Sequence, residues 1–81
     1  SRSIPLSNLN LVGRASDNTI LIDDGTVSSH HARLLYQGGQ WWLEDLGSKN
    51  GTYVDGQRIT GPVTLKPNQV FKIGSTVFFL A

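Results

Sequence analysis

No stretch of eleven or more residues in this chain places apolar side chains at i, i+3, i+4 and i+7, so the sequence offers no convincing amphipathic helix. What it offers is a series of short β-prone runs, each bounded by Gly, Asn, Asp or Pro. Strands are expected near Ile4-Leu6, Asn10-Gly13, Thr19-Ile22, Ala32-Gln37, Gln40-Leu46, Thr52-Val54, Gln57-Ile59, Val63-Leu65, Gln69-Ile73 and Thr76-Leu80. Gly38-Gly39, Asp55-Gly56 and Gly74-Ser75 separate consecutive runs as two-residue turns. Such turns need positive φ, which Gly tolerates freely and Asn or Asp best among the rest. Many short strands with closely spaced turns specify an all-β sandwich or barrel.

The alternation of Trp41-Trp42-Leu43-Glu44 predicts Trp41 and Leu43 facing the core and Trp42 at an edge or half-exposed. Ile20, Phe71, Ile73, Val77 and Phe79 are further core candidates. With 81 residues there is room for one domain, which buries only about 60% of its unfolded surface. That single domain, residues 1–81, is expected to be carried within a larger, cytoplasmic (intracellular) protein.

Composition excludes several classes of function. A net charge of +1 gives the domain no strong pull on nucleic acid or acidic membranes, so any preference for anions must come from local placement of its seven basic residues. The basic residues are also scattered and interleaved with acids, unlike a nucleic-acid face. Absence of cysteine rules out disulfides and thiolate zinc sites. No apolar run approaches the ~20 residues of a membrane-spanning helix. No cofactor is expected, and the isolated domain is expected to be monomeric.

Three stretches lack strand patterning: Arg14-Asn18, Asp23-His31 and Gly47-Gly51. In a domain this small, loops on a rigid sheet are where binding sits. Arg14 follows an apolar strand ending in Gly13, so its planar fork of donors, always charged, opens the first loop. In the second, Ser28 offers a hydroxyl suited to a phosphate oxygen. The neighbouring pair His30-His31 looks like a metal site, but adjacent residues entering a strand point to opposite faces and no further ligands follow. His31 is expected to enter the edge of the core. In the third loop, Asn50-Gly51 is a turn signal. Lys49 there adds a cation, and the Asn50 amide offers a donor and an acceptor to a peptide backbone.

Taken together, Gly13-Arg14, then Ser28-x-x-His31-Ala32, then Asp45-Leu46-Gly47-Ser48-x-Asn50-Gly51-Thr52 resembles the signature of the forkhead-associated (FHA) domain. The order and spacing extend to Val54-Asp55-Gly56, and the resemblance covers Leu11 to about Ile73. It implies a β-sandwich of about ten or eleven short, mostly antiparallel strands, with loops at one end that bind phosphothreonine peptides made by a Ser/Thr kinase. It implies phosphate contacts from Arg14 and Ser28, with Lys49 lining the same site and Asn50 holding the peptide main chain. Gly13, His31 and Gly51 match positions that shape the loops, and Ser48 and Thr52 are expected to tie the third loop by hydrogen bonds. Ser29 stands where many members carry Arg. It can form part of the pocket wall without supplying charge, which leaves Arg14 and Lys49 as the cations.

Two other readings compete. A domain of this fold could bind its partner independently of phosphorylation. A hydrolase built on Ser28 and His31 would need a strained nucleophile turn such as G-x-S-x-G and an oxyanion loop, and neither is evident. The expectation is a binding module, not an enzyme.

Overall fold

The computed structural model describes residues 4–80 and consists of nine short strands with no helix among them. They are β1 (Leu9–Gly13), β2 (Ile20–Leu21), β3 (Ala32–Gln37), β4 (Gln40–Asp45), β5 (Thr52–Val54), β6 (Gln57–Arg58), β7 (Val63–Leu65), β8 (Val70–Ile73) and β9 (Thr76–Phe79). Two sheets form: a five-stranded one in the order β2-β1-β3-β4-β7 and a four-stranded one in the order β6-β5-β8-β9. Every pairing is antiparallel except β1 with β2. A parallel pair ordinarily needs a long crossover. Here β2 meets only the last two residues of β1, Val12 and Gly13, so the chain need not travel back along the strand.

The turns form where Gly and Asp set them. Gly38 and Gly39 have φ of 64° and 78°, and Asp55 and Gly56 have 50° and 82°. Both pairs give the twist that fits a tight hairpin.

Alternation along the strands fills the space between the sheets. Ala32 and Leu34 of β3 turn inward while Arg33 and Leu35 turn out, and in register with them Leu43 of β4 is fully buried. From the other sheet come Phe71 and Ile73 of β8. Val12, Ile20, Ile22, Val27, Ile59, Leu65 and Leu80 complete the core, and Trp41, Val54, Val63 and Phe78 pack against it. On the outer face of the larger sheet Arg33 pairs with Glu44. Trp42 is half-exposed there, its indole N–H donating to the Gln37 carbonyl at 3.3 Å.

Two expectations need correction. Ile4-Leu6 is not a strand. Pro5 at its centre has no N–H for a ladder and confines such a run to an edge at best. That leaves nine strands rather than ten among the described residues. Val77 and Phe79 are not core residues: they are 63% and 62% exposed, and Phe78 between them turns inward. Val77-Phe78-Phe79-Leu80 is apolar on both sides of its alternation, so the sequence carries no phase. The pairing with β8 sets it, placing Phe78 opposite Phe71 with ring centroids 5.4 Å apart.

The registers also fix where the loops go. Val12 lies opposite Ala32, Ala32 opposite Asp45, and Thr52 opposite Ile73. The loops β1–β2, β2–β3 and β4–β5 and the turn β8–β9 therefore emerge at one end of the sandwich.

Candidate functional site

At that end the three loops are joined side by side. The first loop hangs on the second by its backbone: Arg14 N–H donates to the Ser28 carbonyl and Ala15 N–H to that of Ser29, both at 3.1 Å. Gly13 permits this approach. A Cβ built there would lie 2.2 Å from the Ser29 carbonyl oxygen, so no side chain fits. Asn18, buried in the first loop, adds a 2.6 Å bond from its amide to the same carbonyl. Arg14 is exposed, and its Nε donates to the Val27 carbonyl at 2.6 Å. One edge of the guanidinium is thereby fixed, and its two terminal NH2 groups stay available as a fork.

The second and third loops are joined through His31, which is completely buried. Its Nδ1 accepts the Ser28 backbone N–H at 3.0 Å, and its Nε2 lies 2.8 Å from the Gly51 carbonyl. Because Nδ1 is an acceptor, the proton sits on Nε2 and is donated to Gly51. Both ring nitrogens are thus committed to backbone, and neither can serve Ser28 as a base. His30 lies on the surface instead, 2.9 Å from Asp17. The adjacent histidines thus have different neighbours, and no group of three metal-ligating side chains occurs among the described residues.

Ser28 is half-buried, and its Oγ accepts the Lys49 backbone N–H at 3.1 Å. Accepting there leaves the hydroxyl hydrogen free to donate outward. The Lys49 ammonium is exposed and has no carboxylate within ion-pair distance among the described residues. Asn50 donates one Nδ2 hydrogen to the Thr26 carbonyl at 2.8 Å, keeping its second hydrogen and Oδ1 for another partner. The Ser29 side chain is exposed at the seam of the first two loops.

Asp45 shapes the third loop. Its Oδ2 accepts the backbone N–H groups of Gly47 and Ser48, both at 3.0 Å. Its Oδ1 accepts the hydroxyls of Ser48 at 2.5 Å and Thr52 at 2.8 Å. Ser48 Oγ in turn accepts the Gly51 N–H at 2.9 Å, and Gly51 itself takes a φ of 89°. Burial pushes the Asp45 carboxyl up, but the four hydrogen bonds from Ser48, Thr52 and Gly47 outweigh it and hold it below the ordinary value of 3.8.

The sequence reading placed Arg14, Ser28, Ser29, Lys49 and Asn50 at one site, and the structure brings them to one end of the sandwich. It did not assign roles to Asn18, Asp24, Thr26 or Asp45. The available signal was chemical: each is an Asn, Asp or Thr at a loop or strand end, where such side chains bond nearby backbone.

Fold and loop geometry together define a two-sheet β-sandwich that gathers partly committed polar side chains on the loops at one end. The chain belongs to the FHA domain family, matched over residues 10–74. The FHA domain-containing protein FhaB of Mycolicibacterium smegmatis is 44% identical over 70 residues, 86% of this chain and 45% of that protein. The chain thus spans less than half of that relative. Among solved structures, Mycobacterium tuberculosis EmbR in complex with a low affinity phosphopeptide is 34% identical, with a TM-score of 0.85 over 90% of this chain and 19% of that one. The FHA domain of the CT664 protein from Chlamydia trachomatis is 33% identical, with a TM-score of 0.84 over 94% and 78% of the two chains.

Two predictions follow from this geometry. Replacing His31 with Ala orphans the Ser28 N–H and the Gly51 carbonyl, each at about 1–3 kcal/mol. A thermal melt should show a loss of about 2–6 kcal/mol, a fall of at least ~8 °C for a domain of this size. Asp45, held below its unfolded value, contributes stability that is complete above about pH 4 and is lost as pH falls through the folded value. Denaturant titrations from pH 7 down to pH 2 should show a steep acid limb for the native chain. Asp45→Asn should be less stable at pH 7 and show a shallower limb.

Proposed function

We propose that this domain binds phosphothreonine-containing segments of partner proteins through Arg14, Ser28, Lys49 and Asn50. The observation that carries the reading is how these side chains are half-committed. Arg14 spends Nε on Val27 and keeps its fork, Ser28 accepts from Lys49 and keeps its proton, and Asn50 spends one amide hydrogen and keeps its acceptor. Each is thus held in place by an internal bond and still presents a free polar group. Such preorganisation lowers the ordering cost of binding.

A phosphothreonine brings about −1.5 to −2 charges and three strong acceptor oxygens. The Arg14 fork suits two of those oxygens, the Ser28 hydroxyl a third, and Lys49 adds a mobile point charge. Asn50 then meets the N–H and C=O of the peptide backbone beside the phosphothreonine. With two or three charged contacts offset by ordering the peptide, affinity in the micromolar range is expected, about −8 kcal/mol. The EmbR relative bound to a phosphopeptide supports the reading. The module works by recognition, with no catalytic step. Its ligand is made by a Ser/Thr kinase, and it acts within the cytoplasm, carried by a longer protein.

An oriented phosphothreonine peptide library should select a ligand, and the same peptide without phosphate should not bind. Calorimetric titration of Arg14→Ala should then show no measurable affinity while a thermal melt shows the domain still folded, and Lys49→Ala should weaken binding less. Undiminished affinity in Arg14→Ala would refute the site. Phosphothreonine should also be preferred over phosphoserine. The two differ by one γ-methyl, and this preference calls for a small notch to receive it between the loops around Ser28–His31 and Ser48–Asn50. Filling it is worth roughly 10- to 200-fold. Two peptides differing only in that methyl, titrated at one pH and salt, should show the gap, and equal affinities would mean that there is no notch.

A further inference from the structure

Asp24 lies outside the contact set, yet it takes more hydrogen bonds than its half-buried position requires. Its Oδ1 accepts the Thr26 backbone N–H at 2.9 Å and the Thr26 hydroxyl at 2.7 Å. Its Oδ2 accepts the hydroxyls of Ser75 and Thr76, both at 2.7 Å. The Ser75 backbone N–H closes the ring by donating to Thr26 Oγ1 at 2.8 Å. One carboxylate therefore clamps the β2–β3 loop to the β8–β9 turn, joining residues about fifty positions apart in the chain. The turn lies flush against Thr26: a Cβ on Gly74 would come within 2.7 Å of Thr26 Oγ1 and 2.8 Å of its carbonyl oxygen.

That carbonyl is the group to which Asn50 Nδ2 is bound. Thr26 and Asn50 are both exposed, so water competes for this bond. An exposed bond holds a side chain in one orientation only if its acceptor is itself immobile. The Thr26 acceptor is immobilised by Asp24, Ser75 and the bare edge of Gly74. We propose that Asp24 is a positioning residue for peptide recognition: it fixes the Thr26 carbonyl, and through it the Asn50 amide, in the orientation that meets a peptide main chain. The inference rests on the phosphopeptide reading given above. The hydroxyls of Thr76, Ser75 and Thr26 hold the Asp24 carboxyl far below the ordinary carboxylate range, so the clamp stays ionised at any physiological pH. Bonds to an ionised acceptor are the stronger kind.

Asp24→Asn tests this, because the amide keeps the size and replaces one acceptor by a donor that faces hydroxyls. With the library-selected phosphopeptide, affinity should fall about 3- to 10-fold, the cost of ordering one loosened side chain on binding. Inorganic phosphate, titrated through the Ser28 and Lys49 backbone amide signals by NMR, should bind as it does to the native domain. In an Asn50→Ala background, Asp24→Asn should cause no further loss. Without any ligand, the Asn50 side-chain amide signals should move toward their free positions in Asp24→Asn, and part of the way in Ser75→Ala, while backbone dispersion is retained. Native peptide affinity in Asp24→Asn, an equal loss for inorganic phosphate, or a loss that persists without Asn50 would overturn the proposal. If the native domain fails to distinguish phosphorylated from plain peptide, the functional reading falls, and unmoved Asn50 signals would independently overturn the role of Asp24.

Discussion

The buried imidazole of His31 is the contact on which the binding end depends. Its ring bonds both the stretch carrying Ser28 and the turn that follows Asn50. A histidine suits the place because a neutral imidazole has one acceptor and one donor at fixed, opposed positions on a rigid ring. Here the donor meets the buried Gly51 carbonyl and the acceptor the partly buried Ser28 N–H, and leaving such a group unpaired costs about as much as a lost hydrogen bond. Around it the other links are short and local. Asp45 closes the third loop on itself, and Gly13 lets the first loop lie against the second.

Those links divide the polar groups at this end into two sets. One holds the loops together: the amide of Asn18, the carboxylates of Asp45 and Asp24, and the ring of His31. The other consists of Arg14, Ser28 and Asn50, each tied by one bond with the rest of its capacity left over. The carboxylates are largely consumed by hydroxyl and amide donors, whereas the cations Arg14 and Lys49 have no acidic partner among the described residues. Local placement thus makes an anion-receptive surface on a domain whose overall charge is only +1.

Most of the fold was legible because strands and turns announce themselves locally. Gly38-Gly39 and Asp55-Gly56 sit where their positive φ is needed. The β4 alternation gave the correct inward faces for Leu43 and Trp41. What failed was phase and pairing, which are not local. Val77-Phe78-Phe79 reads equally well in either orientation until β8 is placed beside it, and Ile4-Leu6 has strand-like residues but a proline where a ladder needs a donor. Arg14, Ser28, Lys49 and Asn50 could be named as candidate contacts because their loop chemistry suits a phosphopeptide and the motif spacing resembles the FHA signature. Among the supports, Gly13, His31, Ser48, Gly51 and Thr52 are legible through that resemblance, whereas Asn18, Asp24 and Thr26 are not. Asp24 and Thr26 gain their meaning only from Ser75 and Thr76, which lie far along the chain.

That distance in sequence has a kinetic side. The bonds that assemble the binding end join Ser28 to Lys49, Thr26 to Asn50 and Asp24 to Ser75. All three join segments at least 21 positions apart, and domains dominated by such non-local pairings fold in milliseconds to seconds. A nascent or partly unfolded chain consequently has no receptor surface at all, rather than a weakened one. By mass action a ligand saturating the assembled end at a hundred times its Kd adds about 2.7 kcal/mol to the folded state. For a small domain, whose reserve is about 5 kcal/mol at the low end of the usual range, occupancy would then govern how long the molecule persists as well as what it is bound to.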